Sequence, residues 1–265
     1  MRIGIVGAAG RMGQMLIREV RGTAGASLGA ASERAGSDAV GKDAGELAGV
    51  GPVQIKIGAD PAALFEACDA VIDFTAPAAS VAHAVLAGAK RKALILGTTG
   101  LSAADQAKIG EAAKTAVIVQ STNFSPAVVL HFALVEEAAK RLGPDYDIEI
   151  FELHHRHKVD APSGTALSLG RAAAKGRGLD FDKETIRARD GHTGARPRGP
   201  IGFSVARGGS ETGEHNVMFL AEGERLEIVH RASSRQIYAR GAVRAALWTQ
   251  GKKPGLYSMR DVLGL

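Results

Sequence analysis

The chain opens Met1-Arg2-Ile3-Gly4-Ile5-Val6-Gly7-Ala8-Ala9-Gly10-Arg11-Met12-Gly13. Ile3 to Val6 is an apolar run of strand length, and residues 12–20 carry helical spacing. Glycines lie between them. Glycine lets a backbone turn sharply and approach another group closely. A helix starting there presents free N–H groups and the positive end of its dipole, which suits a pyrophosphate. The spacing departs from G-x-G-x-x-G. Gly10 and Gly13 match its last two glycines, Ala8 stands at the first, and Gly7 comes one residue early. The place of the motif, between an N-terminal strand and a helix, gives it weight. It predicts a dinucleotide-binding loop built from Gly7, Ala8, Ala9, Gly10, Arg11 and Met12.

The same alternation continues to residue 121. Residues 27–32, 53–57, 70–74, 93–96 and 117–120 read as strands. A short helix opens at Pro61, another spans about 77–89, and a third follows Ser102. Continuous apolar strands alternating with helices predict a parallel sheet covered on both faces, the doubly wound α/β arrangement. Ligands of such sheets sit outside the carboxyl ends of the strands. Glu33 ends the second strand, 20 residues past Gly13, where an acid can accept ribose hydroxyls. Arg34 follows and could pair with a 2′-phosphate, so the pair is compatible with NADH or NADPH. Gly97-Thr98-Thr99 and Ser121-Thr122-Asn123-Phe124 end the fifth and sixth strands. With Asp73-Phe74-Thr75 they outline room for a nicotinamide ribose.

After Ser121 the pattern changes. A helix is predicted over 126–142, a strand over 146–153, and a helix from about Ser163 to Gly176. Residues 202–207, 216–221 and 226–230 read as strands without helices between them, which predicts a mixed or antiparallel sheet. Residues 190–200, rich in Gly, Pro and Arg, read as a mobile loop. A last helix over 237–250 is expected to return to the first domain. The expected division is residues 1–124 plus 236–265 as a dinucleotide-binding domain, and 125–235 as an α+β substrate domain.

The most unusual stretch is Glu152-Leu153-His154-His155-Arg156-His157-Lys158-Val159-Asp160-Ala161-Pro162-Ser163-Gly164-Thr165-Ala166. Five consecutive basic or imidazole side chains end a strand. Protonated, they repel one another unless an anion joins them. Ser163-Gly164-Thr165 then opens a helix whose N–H groups and hydroxyls suit a carboxylate. The pattern predicts a pocket for a small di- or polyanion, against the competing reading of a solvated basic loop. A metal is not expected: H-E-x-x-H is absent, and neighbouring Lys and Arg oppose a cation.

Bulk properties agree. The 265 residues carry 45% hydrophobic and 23% charged side chains, near globular averages. The net charge of +5 is spread along the chain without a basic block, which argues against nucleic acid. One cysteine, Cys68, allows no disulfide within the chain. No run is long enough for a membrane span or reads as a signal peptide. The expectation is a cytoplasmic protein.

The run from Glu152 to Ala166 resembles the signature of the 4-hydroxy-tetrahydrodipicolinate (dihydrodipicolinate) reductases of bacterial lysine and diaminopimelate synthesis. The likeness includes residues 7–13, Glu33-Arg34, residues 97–100, Asn123-Phe124-Ser125, Ile201-Gly202-Phe203 and Arg207-Gly208-Gly209. It implies a Rossmann-type domain, a substrate and oligomerisation domain with a mixed sheet, NADH or NADPH, and a cyclic imine dicarboxylate substrate. It further implies a proton-donating or stabilising role for His154 and Lys158, with Lys158 the general acid. Substrate contacts fall to His155, Ser163, Gly164 and Thr165, and a homotetramer forms through the second domain's sheet. Two rivals remain: an oxidoreductase for another small dicarboxylate, and a redox sensor that binds the cofactor without catalysis. An acylating dehydrogenase would need a thiolate, and Cys68, on its way into a strand, is poorly placed for one.

Overall fold

The first strand, β1 (Arg2–Val6), is buried from Ile3 onward. After the glycine turn comes α1 (Arg11–Gly22), which buries Leu16, Ile17 and Val20 at helical spacing. β2 (Ser27–Ser32) runs parallel to β1. A short helix not legible in the sequence, α2 (Ala44–Ala48), follows. Asp43 caps it, its carboxylate accepting from Gly45 and Glu46 N–H and also from Val53 N–H at 3.1 Å. That last bond corrects the strand expected over 53–57. The Val53 N–H is already engaged, and Gln54 sits at φ +59°, which breaks extension. The strand β3 therefore shrinks to Ile57–Gly58. Beyond it lie α3 (Pro61–Ala67), β4 (Ala70–Asp73), α4 (Pro77–Lys90), β5 (Ala93–Leu96), α5 (Ala103–Ala112) and β6 (Val117–Gln120). Pro61 and Pro77 open their helices, and a Ser102–Asp105 capping box opens α5. Phe65, Val71, Leu94, Leu96, Ile109 and Ile118 fill the core on one side of these strands.

α6 (Pro126–Leu142) leads into β7 (Asp147–His154), whose side chains alternate strictly between half-buried and buried. α7 (Gly164–Arg177), β8 (Thr185–Ile186), β9 (Ile201–Arg207), β10 (Gly213–Ala221) and β11 (Glu224–Ala232) complete this part. The sheet order is β11-β10-β7-β9-β8. β10 is antiparallel to β11 and β7, while β9 is parallel to β7 and β8, so the sheet is mixed. Its covered face packs Ile148, Ile150, Val217 and Phe219 against Val135, Ala139, Leu169 and Ala173 of α6 and α7. Residues 190–200 are irregular yet anchored. Arg196 bonds Asp147, Glu149 and the carbonyls of Ile148 and Pro200.

The chain then forms α8 (Gln236–Trp248), β12 (Gly255–Tyr257) and α9 (Met259–Leu263). β12 and α9 were not legible in the sequence. β12 pairs in parallel with β6 and completes a sheet of order β12-β6-β5-β4-β1-β2-β3, with every pairing parallel. The order reverses between β1 and β4, which makes their carboxyl ends the switch point where such sheets bind ligands. The computed structural model describes residues 1–265, which form two compact units: Met1–Pro126 with Gln236–Leu265, and Ala127–Arg235.

α8 is tied to α1 by Gln236, which donates to Glu19 at 2.7 Å and to the Met15 carbonyl. At Gly241 the helix lies so close to the chain that a Cβ would stand 1.6 Å from the Phe124 carbonyl oxygen. Backbone cannot yield as a flexible side chain can. Gly241→Ala is expected to cost about 2–3 kcal/mol and lower Tm by roughly 5–10 °C, measured by calorimetry.

Candidate active site

In the first unit the site begins where β1 ends. Gly7 turns at φ +68°, and a Cβ there would stand 2.8 Å from the Thr75 side chain. Gly13 is tighter, since its Cβ would lie 2.2 Å from the Gly7 carbonyl oxygen. These two positions explain the shifted spacing: Gly7 makes the turn, and Gly13 lets α1 press against it. Gly10 is the N-cap of α1 without a side-chain cap, and the first turn holds no acid. The helix dipole is thus unmet by the protein itself, as an anion site requires. Ala8 is fully buried, its N–H bonded to the Ser32 carbonyl. Arg11 is exposed, with Ala9 and Met12 half-buried. Glu33 reaches the loop, accepting from Ala9 N–H at 3.1 Å with one oxygen and from Arg34 N–H with the other. Arg34 is exposed.

The other strand ends are joined from below. Asp73 is fully buried, with its Oδ2 2.8 Å from His83 Nδ1 and its Oδ1 accepting from Thr75 Oγ1 at 2.6 Å. Burial alone would raise its carboxyl. The bonds from His83 and Thr75 outweigh that and hold it below the ordinary range. Ser80 donates to Thr98 at 2.7 Å. Thr98 is itself buried at that bond. Phe74 packs on Gly97, where a Cβ would meet the ring at 2.3 Å, and lies edge-on to Phe124. Phe124 is buried, while Thr99 and Thr122 are exposed. Ser121 donates to the Asn123 carbonyl, and Asn123 Oδ1 accepts from Ser125 N–H. The glycine cradle, the uncapped helix and Glu33 fit a dinucleotide.

In the second unit the site grows from β7. Its covered face reads Ile148, Ile150, Glu152, His154, so a carboxylate and an imidazole stand where the alternation demands apolar residues. That break in period was the available signal for Glu152, a functional residue that the reading of charges missed. Glu152 is fully buried. One oxygen lies 2.5 Å from His154 Nδ1, and the other accepts from Ser163 N–H at 2.8 Å and Arg207 Nη2 at 2.9 Å. Burial pushes the carboxyl up, but these three donors outweigh it and bring it to about 2. The expected surplus of positive charge is thus partly answered from within. Lys158 likewise pairs with both oxygens of Asp160, at 2.7 and 2.9 Å.

Arg207, which the sequence marks only within the run Arg207-Gly208-Gly209, and His215, which it does not mark, complete the cluster. Arg207, paired with His154 in the β7–β9 register, also holds the Asp160 carbonyl. His215 lies edge-on to His154 with centroids 5.0 Å apart, and its Nε2 meets Ser163 Oγ at 3.1 Å. Burial, then the His154 charge, push His215 down to about 3. Ser163 caps α7 through Ala166 N–H. Gly164 opens the helix, and a Cβ there would meet open space. Thr165 is half-buried beside it. His155 contacts Arg235 at 3.2 Å, and partial burial together with that cation lowers its pKa. Arg156 and His157 point outward as exposed residues.

Glu152, His154 and His215 place potential ligand atoms within 4.8 Å of one another. Arg207 and Ser163 N–H already engage the carboxylate, and Ser163 engages His215. The set works as an internal ion-pair network in which Arg207 is the cation that answers Glu152. No helix is long and apolar enough to cross a membrane.

Family models match both parts of the chain: "Dihydrodipicolinate reductase, N-terminus" over residues 1–124 and "Dihydrodipicolinate reductase, C-terminus" over 127–263. A 4-hydroxy-tetrahydrodipicolinate reductase of Methylocella silvestris is 57% identical over 265 residues, covering 100% of this chain and 97% of that protein. One from Brucella abortus is 54% identical over 266 residues, covering 100% and 99%. Among solved structures, a dipicolinate-bound dihydrodipicolinate reductase from Paenisporosarcina sp. TG-14 superposes with a TM-score of 0.74 at 21% identity, covering 97% of each chain. A probable dehydrogenase from Thermotoga maritima gives 0.64 at 13% identity, covering 99% of this chain and 92% of its own, a likeness of fold alone. With both parts of the chain matched and relatives more than half identical along its whole length, the chain belongs to the dihydrodipicolinate reductase family.

Proposed function

We propose that the chain reduces 4-hydroxy-tetrahydrodipicolinate to tetrahydrodipicolinate, with His154 and Lys158 handling charge and protons and His155, Ser163, Gly164 and Thr165 holding the substrate's carboxylates. The observation that carries this reading is the cluster at the end of β7, where the basic run His155 to Lys158 and the first turn of α7 adjoin buried His154. The family makes the chain an oxidoreductase of lysine and diaminopimelate biosynthesis that uses NADH or NADPH. The bound dihydronicotinamide supplies a hydride, and the substrate hydroxyl departs as water. Gly7, Ala8, Ala9, Gly10, Arg11 and Met12 would cradle its pyrophosphate, and Glu33 its adenosine ribose. Residues 97–99 and 121–124 would border the nicotinamide end.

Reduction of a carbon conjugated to an imine builds negative charge on nitrogen. A nearby ammonium or imidazolium stabilises that charge and delivers the proton. Lys158 is half-buried and already paired with Asp160, so a substrate carboxylate can exchange with Asp160 at little cost in desolvation. The thiol alternative loses support from the structure: Cys68 is buried, and burial raises its thiol to about 11.

With the imine made in place from pyruvate and aspartate semialdehyde, NADH or NADPH absorbance should fall. A flat trace with both cofactors removes the reading. His154→Ala and Lys158→Ala should each lower kcat roughly 10²- to 10⁴-fold with cofactor Kd near wild type. Equal loss of cofactor binding would make the cluster structural instead.

Glu33 meets the loop from the end of β2 and Arg34 is exposed next to it, so a 2′-phosphate would find a guanidinium there. Arg34→Ala should weaken NADPH more than NADH in fluorescence titrations. An equal effect on both would take Arg34 out of phosphate recognition.

We also propose a homotetramer assembled through the uncovered face of the five-stranded sheet. That face carries Phe151, Leu153, Met218, Leu220 and Val229, with Asp147, Glu149, Glu214 and Glu227 among them, by their alternation and register with the covered side. Apolar residues grouped on an open face favour a partner. Light scattering should give about four times the 27.4 kDa chain mass, falling in Met218→Glu. A monomer at micromolar concentration would refute it.

A further inference from the structure

Glu152 has two oxygens with separate tasks. Oε1 is held by Ser163 N–H and Arg207 Nη2. Oε2 lies 2.5 Å from His154 Nδ1 as an ion-pair contact set off the line of an ordinary hydrogen bond, and no other group is bonded to either atom. An ionised carboxylate only accepts hydrogen bonds, so the ring nitrogen facing it must carry the hydrogen. On the other side of the ring, Gly213 lacks a side chain just where a Cβ would stand 2.9 Å from Nε2. The glycine leaves that nitrogen uncovered.

We infer that Glu152 is a positioning residue: it holds one proton of His154 on Nδ1, so that the doubly protonated ring gives its second proton to the substrate from Nε2 and is left as the Nδ1–H tautomer. The inference rests on the reductase reading of this site. The groups around the ring fit the role. His215 on β10 stays neutral and makes no rival claim on the carboxylate as a cation. His131 on α6 and His230 on β11 are near enough to His215 to act on it electrostatically. Arg207 on β9 and Ser163 at α7 lock Oε1, so Glu152 cannot rotate away from the ring. Lys158 and His155 lie in the segment that follows β7. A buried carboxylate whose partners include two pieces of backbone-anchored structure is a fixed reference for the imidazole.

Glu152→Gln separates the tasks. Glutamine keeps an oxygen for Ser163 and Arg207 but turns an N–H₂ toward His154 Nδ1. That donor needs a lone pair on Nδ1 and drives the hydrogen to Nε2. Expected are a fall in kcat of about 100-fold, with Kd for NADPH and for dipicolinate within about twofold of wild type. Nitrogen NMR of histidine-labelled protein should show hydrogen on Nδ1 of His154 in wild type and on Nε2 in the variant, with His154→Asn used for assignment. A bare Nδ1 in wild type overturns the inference, whether or not the variant folds. So does a variant with wild-type kcat. A wild type that shows the Nδ1 hydrogen but never reduces the imine upholds the tautomer and refutes the reductase reading.

Discussion

A carboxylate with no exposure is the point on which the second unit turns. Leaving Glu152 ionised in the interior without partners would cost several kcal/mol, and removing one partner of such a group typically costs about 3–5 kcal/mol. The protein meets that cost with three donors, each from a different part of the chain. His154 lies two residues on along β7, Ser163 starts α7, and Arg207 ends β9. Satisfying one charge therefore fixes the relative positions of a strand end, a helix N-terminus and a neighbouring strand. Those are the parts that carry His154, the Gly164–Thr165 turn and the loop with Lys158. The stability of the unit and the geometry of its chemistry share one interaction.

The first unit solves the same problem differently. Its constraint is steric. Gly7 and Gly13 bring α1 onto the end of β1 more closely than any side chain permits, and the helix N-terminus is left without a cap of its own. Beneath the strand ends, Asp73 again places a buried charge under a functional surface. Its partners, His83 and Thr75, with Ser80 and Thr98 close by, tie α4 to the ends of β4 and β5. Both units thus use a buried carboxylate bonded to a histidine to hold loops still, which lets the ligand-facing backbone remain free of its own contacts.

How much of this could be read in advance depends on range. The parallel sheet was legible because each strand is a short apolar run and each helix announces its start, as with Pro61, Pro77 and the Ser102 cap. The 53–57 strand failed because a carboxylate ten residues away takes the Val53 N–H. α2 and β8, of five and two residues, carry no period that a sequence can show, and the same holds for the short β12 and α9 after the last helix. The basic run from His154 to Lys158 was conspicuous, but its internal anion was not. Glu152 lies beside it in sequence, and charge alone gives it no part in the run. Only the alternation of β7, which puts it on the covered face, gives it away.

The sequence by itself determined the order of elements, the glycine turn and its helix, and the family signature from Glu152 to Ala166. These depend on local periodicity, backbone freedom and residue identity at fixed spacing. The tertiary structure alone decided which side chains share a charge. Arg207 and His215 stand 55 and 63 positions beyond Glu152, and nothing in their spacing marks them. The mixed pairing of β9 and β10 against β7 brings them together, because a buried carboxylate selects its partners by distance in space and not by distance along the chain.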